Sequence, residues 1–225
     1  MQDIEKAVAK VMLGHDAHGI DHILRVRDLA IQIGKREKAD LEIVELAALL
    51  HDVDDYKIVG EENAKKLSNT KNIMNDANIE ARKQQQVIDI VDNMGYSKCL
   101  AGIRPTSLEG KVVSDADMLD GSGAISIIRM SEFDAPRGKP YFDPTKFPKI
   151  NPSPEEYKSF IENSSVDHFF VKLLRIKNLM MTKTGQEEAK PRHEILIAFL
   201  RHLFQEYNSP EWLEYLDKYL EEEDR

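Results

Sequence analysis

Between Leu41 and Leu50 the chain reads LEIVELAALL, apolar on nearly every side of a helix, and then stops at the adjacent polar pair His51-Asp52. A helix that is hydrophobic all round has to be buried, so the rest of the chain must supply elements that surround it. With 225 residues, of which 41% are apolar and 32% charged, it can do so as an ordinary globular protein. From His22 to Ile33 the residues Ile23, Val26, Leu29, Ala30 and Ile33 recur at spacings of three and four, the period of an amphipathic helix that His22 opens. Further helical patterns run over about 61–67, 76–94, 108–119, 125–130, 155–161, 166–181, 187–207 and 211–220, and no segment alternates with period two. The expected fold class is all-α.

Six of the nine prolines, Pro136, Pro140, Pro144, Pro148, Pro152 and Pro154, fall between Glu132 and Pro154. Proline lacks the backbone donor and blocks helix, so 132–154 reads as a long irregular loop. Its Arg137, Lys139, Lys146 and Lys149 suit either a lid over an anionic substrate or a solvated surface loop. Pro210 fits the first turn of a last helix, and Pro191 fits the first turn of another or a kink. Trp212, the only tryptophan, is expected to anchor the last helix to the core, and His193 and His202 read as surface histidines.

A formal charge of -9 argues against binding DNA or RNA polymers, which needs a basic surface to displace phosphate counterions. Cys99 is the only cysteine, so neither an internal disulfide nor a thiolate metal site can form, and a cytoplasmic address is expected. The opening MQDIEKAVAKVML mixes charge with apolar residues and reads as neither a targeting segment nor a membrane span.

Ending a buried helix in an imidazole and a carboxylate is costly unless each is paired or coordinates a cation. Neighbouring helical residues point about 100° apart, so His51 and Asp52 can act together only where the helix ends, which is where they stand. A second group of carboxylates, Asp115, Asp117 and Asp120, lies in VVSDADMLDGSGAI. Asp115 and Asp117 cannot share a helical face, whereas Asp117 and Asp120 can, and one of these two is expected as a ligand. Two histidines with two carboxylates form a mixed nitrogen and oxygen set suited to manganese, iron, nickel, cobalt or zinc better than to magnesium or calcium.

The order HILRV at His22, AALLHDVDDYK at His51 and VSDADMLDGSGAI at Asp117 resembles the HD-domain metal-dependent phosphohydrolase superfamily. HFFVKLL at His168 and RHEILIAFL from Arg192 extend the resemblance to the small bacterial branch that includes deoxynucleoside triphosphate pyrophosphohydrolases. It implies a helical bundle with a C-terminal helical extension in one domain, 1–225: a metal-binding core of about 18–130, the loop 132–154, and C-terminal helices 155–225. It also implies one divalent cation, manganese first with nickel, iron, cobalt, zinc or magnesium as alternatives, held by His22, His51, Asp52 and Asp117. Asp117 is chosen because the family ligand sits in an Ala-Asp-x-Leu context. Members with two metals carry extra histidines before the last aspartate, and none lies between Asp52 and Asp117 here. Relatives often read His-Asp-x-x-His where this chain has His18, Gly19, Ile20, Asp21, His22, and they carry an arginine at the position of Met118.

A hydrolytic role needs a base and cations. Asp52 and Asp55 are the candidate catalytic carboxylates, with Asp55 on the metal-facing side if the helix runs one more turn. Arg25, Lys57, Arg129 and Lys172 match basic positions of the resembling branch and, with His18 and His168, are expected at the phosphates of a nucleotide. The expected activity is nucleotide phosphohydrolysis, foremost a nucleoside triphosphate pyrophosphohydrolase. A 5'-nucleotidase or a guanosine tetraphosphate hydrolase would use the same site. From a different class, a non-catalytic metal-stabilised module binding a nucleotide or a protein is the alternative. No membrane partner is expected, and a homo-oligomer is compatible with all of these.

Overall fold

The computed structural model describes residues 1–13, 19–151, 153–158 and 164–223, and among them every regular element is helical. None of the described helices is long and apolar enough to cross a membrane. The chain divides into two compact units, one of Met1–Asp120 with Met181–Gly185 and one of Gly121–Met180 with Gln186–Arg225.

The first unit contains α1 (Gln2–Val11), α2 (Ile20–Glu37), α3 (Leu41–Leu50), α4 (Tyr56–Val59), α5 (Glu61–Ala64), α6 (Ser68–Asp76), α7 (Ala81–Val91), α8 (Tyr96–Leu100) and α9 (Leu108–Asp120). Its centre is α3, packed against α2 and α9, which also pack on each other, with Ile43, Val44, Leu46, Ala47, Ala48, Leu49 and Leu50 all buried. Asp40 starts this helix where the pattern begins, because its carboxylate accepts the Glu42 and Ile43 N–H groups that have no partner within the helix. The α2–α3 turn is short because Lys38 takes the left-handed conformation, φ 61°, and closes α2 onto the Gly34 carbonyl. Gly34 also sets how closely the helices approach: a Cβ there would stand 3.1 Å from Leu41 Cδ2 and 3.6 Å from Val112 Cγ1 of α9.

The pattern over 76–94 forms one shorter helix, α7, because α6 ends at Asp76 and the chain turns before Ala81 with Asn78 at φ 54°.

The second unit contains α10 (Ala124–Asp134), α11 (Pro154–Lys158), α12 (Asp167–Val171), α13 (Ile176–Leu179), most of α14 (Lys183–Glu206) and α15 (Pro210–Glu223). The expected helix over 166–181 is interrupted at Lys172, φ -135°, and a 3-10 turn over Leu173–Arg175 joins its two halves. Pro191 is inside α14, since that helix starts at Lys183, and Pro210 opens α15 as expected. Trp212 is fully buried between Phe142, Phe170 and Phe204, and its Nε1–H donates to the Pro144 carbonyl at 3.0 Å. The proline-rich loop is therefore pinned to the C-terminal helices by its own aromatics. Lys146 pairs with Asp143 at 3.4 Å and Lys139 lies 3.8 Å from Asp134, so these loop cations are engaged locally. His202 is exposed, but His193 is buried and is not the surface residue its polar neighbours suggest.

Candidate metal centre

Helices α2, α3 and α9 each deliver part of one cluster. His22 sits in the first turn of α2, His51 caps the end of α3, Asp52 lies in the turn that follows, and Asp117 projects from α9. The Nε2 atoms of His22 and His51 stand 3.3 Å apart. His22 Nε2 is 3.4 Å from Asp52 Oδ2 and 3.5 Å from Asp117 Oδ1, and His51 Nε2 is 3.6 Å from Asp52 Oδ1 and 3.7 Å from Asp117 Oδ1. Both imidazoles are buried, while Asp52 and Asp117 keep 13% and 24% of their side-chain surface, which marks the side open to solvent.

The far nitrogen of each ring fixes its tautomer. His22 Nδ1–H donates to Asp120 Oδ2 at 2.7 Å, and His51 Nδ1–H donates to the Ala48 carbonyl at 2.7 Å. Neither partner can donate in return, so in the neutral rings both Nε2 lone pairs point into the cluster. The ligand atoms of His22, His51 and Asp52 all lie within 4.8 Å of one another and Asp117 Oδ1 approaches both Nε2 atoms, an arrangement that only a proton or a cation relieves. Donors about 2.0–2.2 Å from a common ion stand roughly 3.0–3.5 Å from one another, close to the spacings here, so the set fits one divalent cation.

Without an ion, the charge balance falls on His22. Burial alone would lower its pKa, but the hydrogen bonds to Asp117, Asp120 and Asp52 overcome this and raise it to about 10. Burial by itself would raise the Asp117 carboxyl, and the hydrogen bond from His22 reverses that and holds it below the usual range.

Asp120, the alternative that helical spacing leaves open, stands behind His22 and not beside the other donors. Its carboxylate also takes Arg25 Nε at 2.8 Å and Nη2 at 3.1 Å, so Arg25 is engaged by Asp120. Asp115 faces elsewhere, accepting the Met181 and Thr182 N–H groups and the Thr182 hydroxyl, although burial pushes its carboxyl up.

Helix α3 does not continue through Asp55. Residues 51–54 form a turn, and Asp55 precedes α4, its N–H donating to the Asp52 carbonyl at 3.0 Å. Asp54 is buried and accepts the Asn69 and Thr70 N–H groups at 3.1 and 2.8 Å, tying the turn to the start of α6. Its partners lie in another helix, beyond the reach of local spacing. Lys57 belongs to α4, and His18 lies outside the described residues. Arg129, His168 and Lys172 belong to the second unit, where His168 stacks on Tyr157 with ring centroids 6.4 Å apart.

Known proteins share this arrangement of sequence. Residues 19–122, which carry all of the donors described above, match the HD domain. YpgQ of Bacillus subtilis is 36% identical over 191 residues, 84% of this chain and 83% of that protein. Its crystal structure in complex with ADP aligns with a TM-score of 0.70 over 91% of this chain and 93% of that one, at 34% identity. A Lactobacillus plantarum protein aligns with a TM-score of 0.80 at 31% identity over 92% of this chain and 96% of that one. An HD-superfamily hydrolase from Bacillus thuringiensis gives 0.70 at 31% identity, covering 92% and 98%. The His-Asp pair that closes α3, the histidine that opens α2 and the aspartate of α9 are thus framed by the helices of a known fold, and the chain belongs to the HD-domain family.

Proposed function

We propose that the protein is a divalent-metal-dependent phosphohydrolase acting on a nucleotide, with cleavage of a nucleoside triphosphate to monophosphate and pyrophosphate as its leading reaction. One observation carries this reading: the Nε2 atoms of His22 and His51 stand 3.3 Å apart and each lies 3.4–3.7 Å from a carboxylate oxygen of Asp52 and of Asp117, while both histidines have their other nitrogen committed as a donor. We assign these residues as the ligands, and the mixed donor set favours manganese. When bound, the cation makes a water acidic enough to react near neutral pH and offsets charge building on the phosphoryl oxygens.

The chain supplies the rest. Asp120 and the Ala48 carbonyl hold the imidazoles so that they bind through Nε2 and do not rotate. Asp52 and Asp117 face the solvent-open side, where the substrate phosphates arrive. The water oxygen attacks phosphorus, the bond from phosphorus to the leaving pyrophosphate oxygen breaks, and the water proton passes to the Asp55 carboxylate as general base. Lys57, in the helix that follows the His51-Asp52 turn, is assigned to the phosphates. The ADP complex of YpgQ supports a nucleotide as the ligand class.

The test is a panel of nucleoside mono-, di- and triphosphates assayed with Mn2+, Co2+, Ni2+, Zn2+ and Mg2+, with the phosphorus products separated. Pyrophosphate from triphosphates is the expected outcome. Inorganic phosphate from monophosphates would reassign the site to a nucleotidase, and no turnover with any nucleotide would remove the enzymatic reading.

A further inference from the structure

Arg25 stands one turn after His22 on α2, and both reach the same carboxylate on α9. Asp120 has 5% of its side-chain surface exposed, whereas Arg25 keeps 39%, so a buried anion is met from one side by a ring and from the other by a cation reaching in from solvent. The contacts on Asp120 divide unevenly. Oδ1 accepts Arg25 Nε at 2.8 Å, and Oδ2 accepts both Arg25 Nη2 at 3.1 Å and His22 Nδ1–H at 2.7 Å. A two-pronged guanidinium fixes the plane of a carboxylate as well as its position. With that plane fixed, Oδ2 is held at His22 Nδ1, and the rotation of the ring that aims Nε2 at His51, Asp52 and Asp117 is fixed with it.

We propose that Arg25 is a positioning residue for the metal centre, acting through Asp120 on His22, and that it sets the affinity for a divalent cation before any substrate arrives. This rests on the assignment of His22 as a ligand. It differs from a role for Arg25 at substrate phosphates, which would leave metal affinity in the absence of nucleotide unchanged.

The direction of the effect separates this from simple electrostatics. A guanidinium near a divalent cation repels it, so deleting Arg25 by charge alone would tighten metal binding. Loss of positioning weakens it instead. The carboxylate partner of a metal-binding histidine typically changes affinity by about 10–100-fold when altered.

The experiment titrates Mn2+ into the chelator-treated full chain without nucleotide, reading free Mn2+ by electron paramagnetic resonance at a temperature where circular dichroism shows each variant folded. Arg25→Gln is expected to weaken Mn2+ binding about 10-fold. Arg25→Lys keeps the charge but not the fork, and recovers only part of the loss. Asp120→Asn has one acceptor oxygen for three donors and weakens binding at least as much as Arg25→Gln. Adding Arg25→Gln to Asp120→Asn should change affinity by no more than about twofold further, because the route is already broken. Unchanged or tighter binding in Arg25→Gln overturns the proposal, as does a double variant whose losses multiply. If Arg25→Gln does not fold, Arg25→Lys decides: weaker binding supports the proposal and equal binding overturns it. His51→Ala is the control, since retention of Mn2+ in that variant overturns the ligand assignment itself, while its loss beside an unaffected Arg25→Gln overturns this proposal alone.

Discussion

His22 and His51 face each other through Nε2 atoms 3.3 Å apart, each with its Nδ1–H already given away, to Asp120 and to the Ala48 carbonyl. Such a pair has no hydrogen bond to make with itself in the neutral state, and the flanking Asp52 and Asp117 add two further acceptors. This is the physical reason for placing a cation there, and it leads to a direct test. His51→Ala or Asp52→Ala should abolish hydrolysis and the thermal stabilisation that Mn2+ confers on the wild type. At a metal concentration about 100 times Kd that stabilisation amounts to roughly 2.7 kcal/mol, read as a rise in melting temperature that a chelator reverses. An unchanged response to Mn2+ in both variants would remove the pair from the ligand set.

Asp55 is separated from the ligands by a turn and not by a continued helix. Asp55→Asn should therefore leave Mn2+ affinity at the wild-type value and lower kcat by about 100-fold or more, the usual contribution of a general base. Measuring kcat and metal affinity on the same preparation distinguishes a base from a ligand. A kcat within a factor of two of wild type would shift the proton-accepting role to another group.

Gly185 allows Asp115 to reach the backbone of Met181 and Thr182. A Cβ on Gly185 would collide with the Asp115 carboxylate and stand 2.9 Å from Thr182 Oγ1, displacing a buried, hydrogen-bonded anion. Gly185→Ala is expected to destabilise the protein by about 1–3 kcal/mol in urea unfolding, the range for overpacking a filled site. Full wild-type stability would show that this strap yields without loss.

Glu37 accepts the Thr184 N–H at 2.7 Å, and hydrogen bonding by Thr184 holds its carboxyl below the ordinary glutamate value of 4.5. A folded-state pKa lowered in this way contributes stability above the unfolded value, and that contribution is lost as pH falls through the folded pKa. Glu37→Gln should thus be less stable than wild type at pH 7, and the difference should shrink as pH falls below 4.5. Solvent screening at this partly exposed group keeps the difference below about 1 kcal/mol. Urea midpoints across this pH range check the sign, and a deficit that does not shrink with falling pH would exclude the ionised form as its cause.

Trp212 is the only tryptophan and is fully buried, so its fluorescence reports on the second unit. Trp212→Ala should cost about 3–5 kcal/mol, and Trp212→Phe, which keeps ring packing but loses the bond to Pro144, should cost appreciably less. Equal losses in the two variants would place the stability in the hydrogen bond and not in the ring.

The buried helix and its polar terminus were readable because their signals are local. Leu41–Leu50 is apolar on nearly every side, and a histidine and an aspartate at its end have few inexpensive fates. The last helix begins at its proline for a similar reason, since Pro210 fits only the first turn. The break at Lys172, the burial of His193 and the interior position of Pro191 were not readable, because each depends on what packs against the helix and not on the helix itself.

The candidate centre divides along the same line. Residue types and their order along the chain determined that imidazole and carboxylate donors would be available at one helix start, one helix end and one helix interior. Spacing could place Asp117 and Asp120 on a shared face, but not say which would meet the other donors and which would stand behind His22, nor that Arg25 would turn to Asp120. Those assignments join residues 95 and 98 positions apart, and they were decided only when α2 and α9 packed together and left each side chain one direction in which to point.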